Sequence, residues 1–432
     1  MTPRPGRADG CPAAAGQVPG PQAGDAPYAR LDTEEFTATP HAVFEALRAE
    51  AAAVPVVVRG GIHAWLITRY DEARAVLADD RMAKDVRHWR DFHAGLVPFT
   101  GDVAVAARRN ILSSDPPDHT RLREVLLSAF SPRRIELLRA QIARIAGDLL
   151  DRIAPRGRAD LVAEFALPIP MTVICELFGV PADDRPGIRT WTEALFHGAA
   201  MERMAQASNE IDALLARVVE IRRADPGDDF TSALIVACDA GRISSEELAS
   251  LLRAMLAGGN ETTANLIGNA ISALLQHPEA LKLAVGEPRR WPQVIDEVLR
   301  WDAPIQNSLW RFATEDVEIG GRLIRRGDAV IVALSCANRD ERAFAHAAAF
   351  DIARADRGHV SFGRGRHYCV GATLARLEAQ IALPALFERL PDLRPAPGAA
   401  LRYRQSTMSR GLISLPVQFA ATPGRPAATC AS

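Results

Sequence analysis

The sequence predicts a mainly α chain with small β elements towards both ends of its body. Three observations carry this. Helical spacing of apolar residues fills the middle, short β-branched runs flank it, and no Pro/Gly linker divides residues 27–420. One domain is therefore expected, between a disordered Pro/Gly/Ala-rich leader (1–26) and a flexible tail (421–432).

The elements follow in order. Val54–Val58 and Ala64–Thr68, around Gly60-Gly61, read as a hairpin. Helical periodicity appears in Asp71–Leu77, His119–Phe130, Pro132–Ile153, Asp183–Phe196 and Ala205–Arg223. Ser244, with Glu247 three residues on, marks an N-cap. From it an unusually long helix, apolar at its centre, runs to about Gln276, and another ends near Trp301, before Pro304. Strands return at Asp316–Ile319, with Gly320-Gly321 as a turn, and at Ala329–Leu334. A last helix begins after Cys369 and reaches about Leu390, and Leu412–Phe419 reads as a closing strand.

Composition narrows the function classes. A formal charge of −2 over 432 residues gives no electrostatic case for nucleic acid. The leader lacks the apolar core of a secretory signal, and no run reaches the ~18 apolar residues of a membrane span. A cytoplasmic protein is expected. Cys11, Cys175, Cys238, Cys336, Cys369 and Cys430 form no C-x-x-C pair, so a disulfide scaffold does not suit this chain.

Cys369 stands apart from the other cysteines. It lies in Phe362-Gly363-Arg364-Gly365-Arg366-His367-Tyr368-Cys369-Val370-Gly371, just before a helix-forming run. Unpaired N–H groups and the positive helix end favour a thiolate there. Such a thiolate can attack, be oxidised or ligate a metal. Zinc fits poorly, because His367 and Cys369 have no second ligand pair at finger spacing. Two further motifs accompany it. Ala257-Gly258-Gly259-Asn260-Glu261-Thr262-Thr263 puts adjacent glycines inside the long helix, each costing roughly 1 kcal/mol relative to Ala. Either close helix packing or a groove for a flat ligand would compensate, and the acid-alcohol pair beside it could relay protons. Glu297 and Arg300, three apart, share a helix face, where a surface pair would contribute ~0.5 kcal/mol at most.

Together these motifs resemble the cytochrome P-450 family, and the resemblance covers roughly Thr39 to Phe419. It implies a triangular, mostly helical prism, with haem b between the long helix and the Cys369 loop. Cys369 is then the axial thiolate, with Phe362 beside the sulfur, Gly363 turning the backbone under the porphyrin, and Gly371 letting the next helix approach. Gly258 and Gly259 form the oxygen groove, Thr262 hydrogen-bonds the activated oxygen, and Glu261 helps deliver protons. Glu297, Arg300 and Arg354 become a buried structural network. His119, Arg123, Arg311 and His367 become partners of the haem propionates. One departure is Ala347-Ala348-Ala349, which replaces a more polar, Pro-containing run.

The implied reaction is monooxygenation with O2 and electrons from NAD(P)H, through a separate ferredoxin reductase and ferredoxin, since neither domain is fused. A monomer is expected. Arg121, Arg133, Arg134, Arg364 and Arg366 are candidates for a cationic ferredoxin-docking face. By the same matching, Phe92, Leu96, Val97, Phe99, Phe196, Ile305, Leu309 and Met408 line a largely apolar substrate pocket. His93, Gln306 and Asn307 are its polar handles. A medium-to-large apolar natural product fits best, such as a macrolide, other polyketide or terpenoid. A xenobiotic hydroxylase, a haem-thiolate catalyst of different chemistry (peroxygenase, ring closure, C–C coupling) and a haem sensor or carrier stay open.

Overall fold

A computed structural model of the protein describes residues 28–98, 101–185, 187–188, 190–191, 201–355 and 358–423. The predicted leader lies outside these residues, as does most of the tail.

The strands are β1 (Ala29–Arg30), β2 (Ala53–Val58), β3 (Ile62–Ile67), β4 (Met82–Ala83), β5 (Arg158–Asp160), β6 (Arg311–Ala313), β7 (Val317–Ile319), β8 (Arg322–Ile324), β9 (Ala329–Val332), β10 (Arg394–Pro395) and β11 (Pro416–Gln418). The hairpin β2–β3 turns at Gly60 and Gly61, both at positive φ, and β7–β8 turns at Gly320 and Gly321 in the same way. The two β regions do not stay separate. A six-stranded sheet, in order β1-β2-β3-β9-β6-β4, joins strands from both halves of the chain, with β3 and β9 parallel. Its side chains alternate between two cores: Trp65, Ile67, Val330 and Val332 on one face, and Leu66, Phe312 and Ile331 on the other.

The helical part has one large core, with the long helix Ser245–Gln276 at its centre. The Ser244 side chain accepts from the Glu247 N–H at 3.1 Å, and the Glu247 carboxylate accepts from the Ser244 N–H at 2.9 Å. This reciprocal cap fixes the start of the helix. The long helix packs on Pro168–Phe178, Trp291–Trp301 and Ala372–Arg389. Pro168 and Pro170 read as helix breakers, yet they occupy the first turn of Pro168–Phe178, where a missing N–H costs nothing. The predicted Asp183–Phe196 helix largely leaves the described residues after a 3-10 turn at Ala182–Asp184. Among the described residues, no helix is long and apolar enough to cross a membrane.

Candidate active site

The Cys369 loop is a tight, internally bonded turn. The Gly363 N–H donates to the Val360 carbonyl at 2.8 Å, Tyr368 to Gly365 at 3.1 Å, and Cys369 to Phe362 at 2.8 Å. Gly363 and Gly365 both take positive φ, near +70°. A Cβ on Gly365 would meet the Ala78 Cα at 3.0 Å, so only glycine lets the loop dock on the helix Tyr70–Ala78. Gly371 sits at the cap of Ala372–Arg389, and a Cβ there would lie 3.8 Å from the Cys369 sulfur. Phe362 is half-buried under the Arg376 guanidinium, 4.5 Å from its ring centre. The thiol is reachable by solvent yet ringed by protein. Burial pushes it above the usual range, outweighing the N–H groups of Gly371 and Ala372 and the charges of Arg123 and Arg376. The helix end favours the thiolate, as the sequence implies, while burial opposes it. Cys175 and Cys336, in contrast, are core thiols pushed up to about 12 by burial.

On the long helix the paired glycines separate. A Cβ on Gly259 would meet the Ile174 Cδ1 at 2.8 Å, so Gly259 serves close helix packing and is no part of a groove. A Cβ on Gly258 would meet nothing within 4 Å, so this turn of helix faces open space. One turn on, the Thr262 hydroxyl donates to the Gly258 carbonyl at 2.7 Å, leaving its oxygen free to accept. Burial raises the pKa of Glu261, while the Ser409 hydroxyl (3.2 Å), Arg404 and Asn265 favour its ionised form.

The four residues matched to propionates come together with a fifth that sequence reasoning missed. His119 and His367 have ring centroids 4.1 Å apart. Arg311 is buried, and the Arg123 guanidinium donates to the Tyr368 carbonyl at 2.9 Å. Lys84 is buried with its Nζ donating to the Leu309 and Trp310 carbonyls at 3.0 and 2.9 Å. It is one of only two lysines in an arginine-rich chain, which was the signal available for it. Asp115 is the carboxylate near these cations, and both its oxygens already accept the N–H groups of Lys84 and Asp85. Burial pushes His367 down to about 2, helped by the neighbouring His119, Lys84 and Arg311. Burial holds Arg311 down at about 10. The Arg311 Nε and His367 Nε2 are buried without a hydrogen-bond partner. Buried basic side chains, two of them with orphaned ring or guanidinium nitrogens, fit a ligand that brings its own carboxylates.

Glu297 and Arg300 form the opposite kind of cluster. Arg300 donates to both Glu297 oxygens at 2.7 and 2.9 Å, and Arg354 lies 3.5 Å from Glu297. The Asp351 N–H adds a bond to Glu297 at 2.8 Å. The remaining Arg300 donors reach the carbonyls of Asn338, Ala347 and Ala349. The alanine run thus supplies backbone, which explains why its side chains do not matter to the network. Asn338 links this network to the cysteine loop: its side chain donates to Ser361 at 2.7 Å and accepts the Val360 N–H at 2.8 Å.

Other expectations change. Phe92 and Val97 pack against the core on one face of the large sheet, and Phe92 stacks on Trp89 with centroids 6.0 Å apart. Leu96 is exposed, and His93 faces the Arg87 carbonyl at 3.0 Å. Phe99 and Phe196 lie outside the described residues. Gln306 and Asn307 keep their amide oxygens buried without a hydrogen-bond partner. Their amide N–H groups donate to the carbonyls of Ser409 at 3.2 Å and Thr407 at 2.6 Å, clamping the turn that carries Met408. Ile305 and Leu309 remain half-buried beside this turn. Of the docking arginines, Arg121 pairs with Glu247, Arg134 with Asp228, and Arg366 with Asp80, so three of the five are already neutralised.

Comparison with known proteins agrees with this geometry. The sequence profile described as Cytochrome P450 matches residues 29–287 and 291–418. Cytochrome P450 107B1 of Saccharopolyspora erythraea is 44% identical over 83% of this chain and 90% of its own. The Bacillus subtilis (strain 168) protein named polyketide biosynthesis cytochrome P450 PksS is 38% identical, over 82% of this chain and 89% of its own. The tirandamycin C-bound P450 monooxygenase TamI superposes with a TM-score of 0.83 at 37% identity, covering 90% of this chain and all of that one. The chain belongs to the cytochrome P450 family. It is a haem-thiolate monooxygenase that acts on a small molecule with O2 and redox partners.

Proposed function

We propose that the enzyme hydroxylates or epoxidises a medium-to-large, mostly apolar natural product, a polyketide or macrolide first and a terpenoid second, in secondary-metabolite biosynthesis. The polyketide-pathway name of PksS and the tirandamycin C bound to TamI support this class. So do the half-buried apolar side chains of Ile305, Leu309 and Met408, which lie near Gln306 and Asn307 in the fold.

Cys369 would hold the iron of haem b, while Arg123, Arg311, His119 and His367, with Lys84 behind them, would hold its carboxylates. Bound there, a thiolate-ligated haem transfers one atom of dioxygen to substrate and, with two electrons and two protons, releases the other as water. The chain's own contribution is positional. Gly258 leaves room against the helix backbone, Thr262 presents an acceptor oxygen, and Glu261 holds a proton more readily than a solvated carboxyl because it is buried. Electrons come from NAD(P)H through a cytoplasmic ferredoxin reductase and ferredoxin. Ferredoxin meets the outer side of the cysteine loop, where a cleft of about 470 Å³ is lined by Arg74, Arg364 and Tyr368.

The observation that carries this reading is the set of buried basic side chains, with unpartnered nitrogens on Arg311 and His367, brought together with the Cys369 loop. Spin-state titration of the haem-loaded enzyme with macrolactones, linear polyketides, terpenoids and fatty acids tests the substrate class. A low- to high-spin shift at micromolar polyketide is expected, and a response confined to fatty acids would refute it.

A further inference from the structure

The turn Ser406–Arg410 is held more firmly than a loop at a pocket wall needs. The Gln306 N–H donates to the Met408 carbonyl at 2.7 Å, Gln306 and Asn307 side chains hold two further carbonyls, and the Arg410 N–H donates to Pro304 at 2.9 Å. Arg410 is in addition paired with buried Asp302 at 2.5 Å. This scaffold fixes two hydroxyls in line with Glu261. The Ser409 Oγ lies 3.2 Å from the Glu261 Oε1 and 3.2 Å from the Ser406 Oγ.

Donor counting sets the direction of this chain. The Ser406 oxygen accepts the N–H groups of Met408 at 3.1 Å and Ser409 at 2.9 Å, so both its lone pairs are taken. Its hydrogen is left to be given away. An ionised Glu261 can only accept, so the single Ser409 hydrogen points to it, and Ser409 receives the hydrogen of Ser406. Every link then runs from half-buried Ser406 towards the carboxylate on the long helix.

We infer that Ser409 is the proton-loading contact of Glu261, the middle of a two-hydroxyl relay from solvent at Ser406. In one cycle the Ser409 O–H breaks as a proton joins the Glu261 carboxylate. The Ser409 oxygen takes the Ser406 hydrogen, and Ser406 recovers one from solvent hydronium on the lone pair that this transfer frees, so charge and atoms balance. Arg404 and Asn265 also act on Glu261, favouring its ionised form without a transferable hydroxyl hydrogen. The inference rests on the proposed role of Glu261 in proton delivery.

The test uses the haem-loaded enzyme with four substitutions. Ser409→Val removes the hydroxyl and leaves no room for a replacing water, Ser409→Thr restores the hydroxyl, Ser406→Ala removes the outer one, and Glu261→Gln is the reference. The first readout needs no turnover: an infrared pH titration of the Glu261 carboxyl band, identified by its loss in Glu261→Gln. Ser409→Val should shift the midpoint upward, because a donor to the carboxylate is gone, and Ser409→Thr should shift it back. The second readout is product formed per NAD(P)H. Ser409→Val should lower it about 10-fold, release peroxide and raise the solvent deuterium isotope effect, with Ser406→Ala intermediate. Wild-type titration and coupling in Ser409→Val overturn the relay. If Glu261→Gln itself stays coupled, the role of Glu261 is wrong. If Glu261→Gln uncouples while Ser409→Val does not, the relay alone is wrong.

Discussion

Two buried clusters of charge in this protein solve opposite problems. Glu297, Arg300 and Arg354 bring both signs together and use backbone carbonyls to satisfy the remaining donors. Lys84, His119, Arg311 and His367 gather basic side chains, leave nitrogens of Arg311 and His367 unpartnered, and sit beside an aspartate whose oxygens are committed to backbone. The first cluster is closed and serves the fold. The second is open and is completed only by a ligand that brings anions.

Removing a member of the closed cluster should have the largest effect. Glu297→Ala leaves two buried guanidinium groups uncompensated, which costs about 3–5 kcal/mol. Denaturant unfolding should show that loss equally in haem-free and haem-loaded protein. Arg311→Leu should separate the two clusters. Haem-free protein should be as stable as wild type or more so, since a strained cation is gone, while haem is retained more weakly by roughly 2–5 kcal/mol. Equal losses in both forms would place Arg311 in the scaffold and erase the distinction.

Acid sharpens the comparison further. Asp302, paired with Arg410, is held down at about 2. Its folded pKa lies below the unfolded value, so its contribution of about 2 kcal/mol is present above pH ~4 and is lost as pH falls towards 2. His119 is also depressed, by burial and then Arg123, but it is a base. The unfolded state binds its proton first, so haem-free protein should begin losing stability as pH falls below about 6.5. Asp302→Asn should flatten the stability curve at the acid end, and His119→Phe should make it shallower near pH 6, the remaining slope coming from the likewise depressed His367 and His41. Stability measured against pH for the three proteins checks both signs.

The glycines give the smallest effect. Gly258→Ala should stabilise the haem-free helix by about 0.5–1 kcal/mol, because nothing opposes the added Cβ. Gly259→Ala should give no such gain, because Ile174 must move. Thermal unfolding of both variants decides it, and identical shifts would contradict the division of roles.

Much of this was legible in the sequence because it is written in local spacing. The glycines of the cysteine loop, the capping box at Ser244 and the i, i+3 placement of Glu297 and Arg300 are each set within a few residues. What depends on distant chain was not legible. Parallel β3–β9 pairing joins residues more than 260 positions apart, and the Asn338 bridge to the cysteine loop needs the fold to bring it there. Arg121, Arg134 and Arg366 read as a free cationic face until the fold supplied their acids. The sequence also could not show that the Ser406–Ser409 turn takes donors of Gln306 and Asn307 and leaves their oxygens unpartnered.

The central claim is that one thiolate, Cys369, ligates haem iron while the open cation cluster holds the carboxylates. The reduced, carbon-monoxide-bound absorption spectrum tests it most directly. The wild-type Soret band should sit at the long wavelength of thiolate ligation, and Cys369→Ala should lose that shift even when it retains haem. A wild-type band at the short wavelength of imidazole ligation, or an unchanged band in Cys369→Ala, would contradict the account.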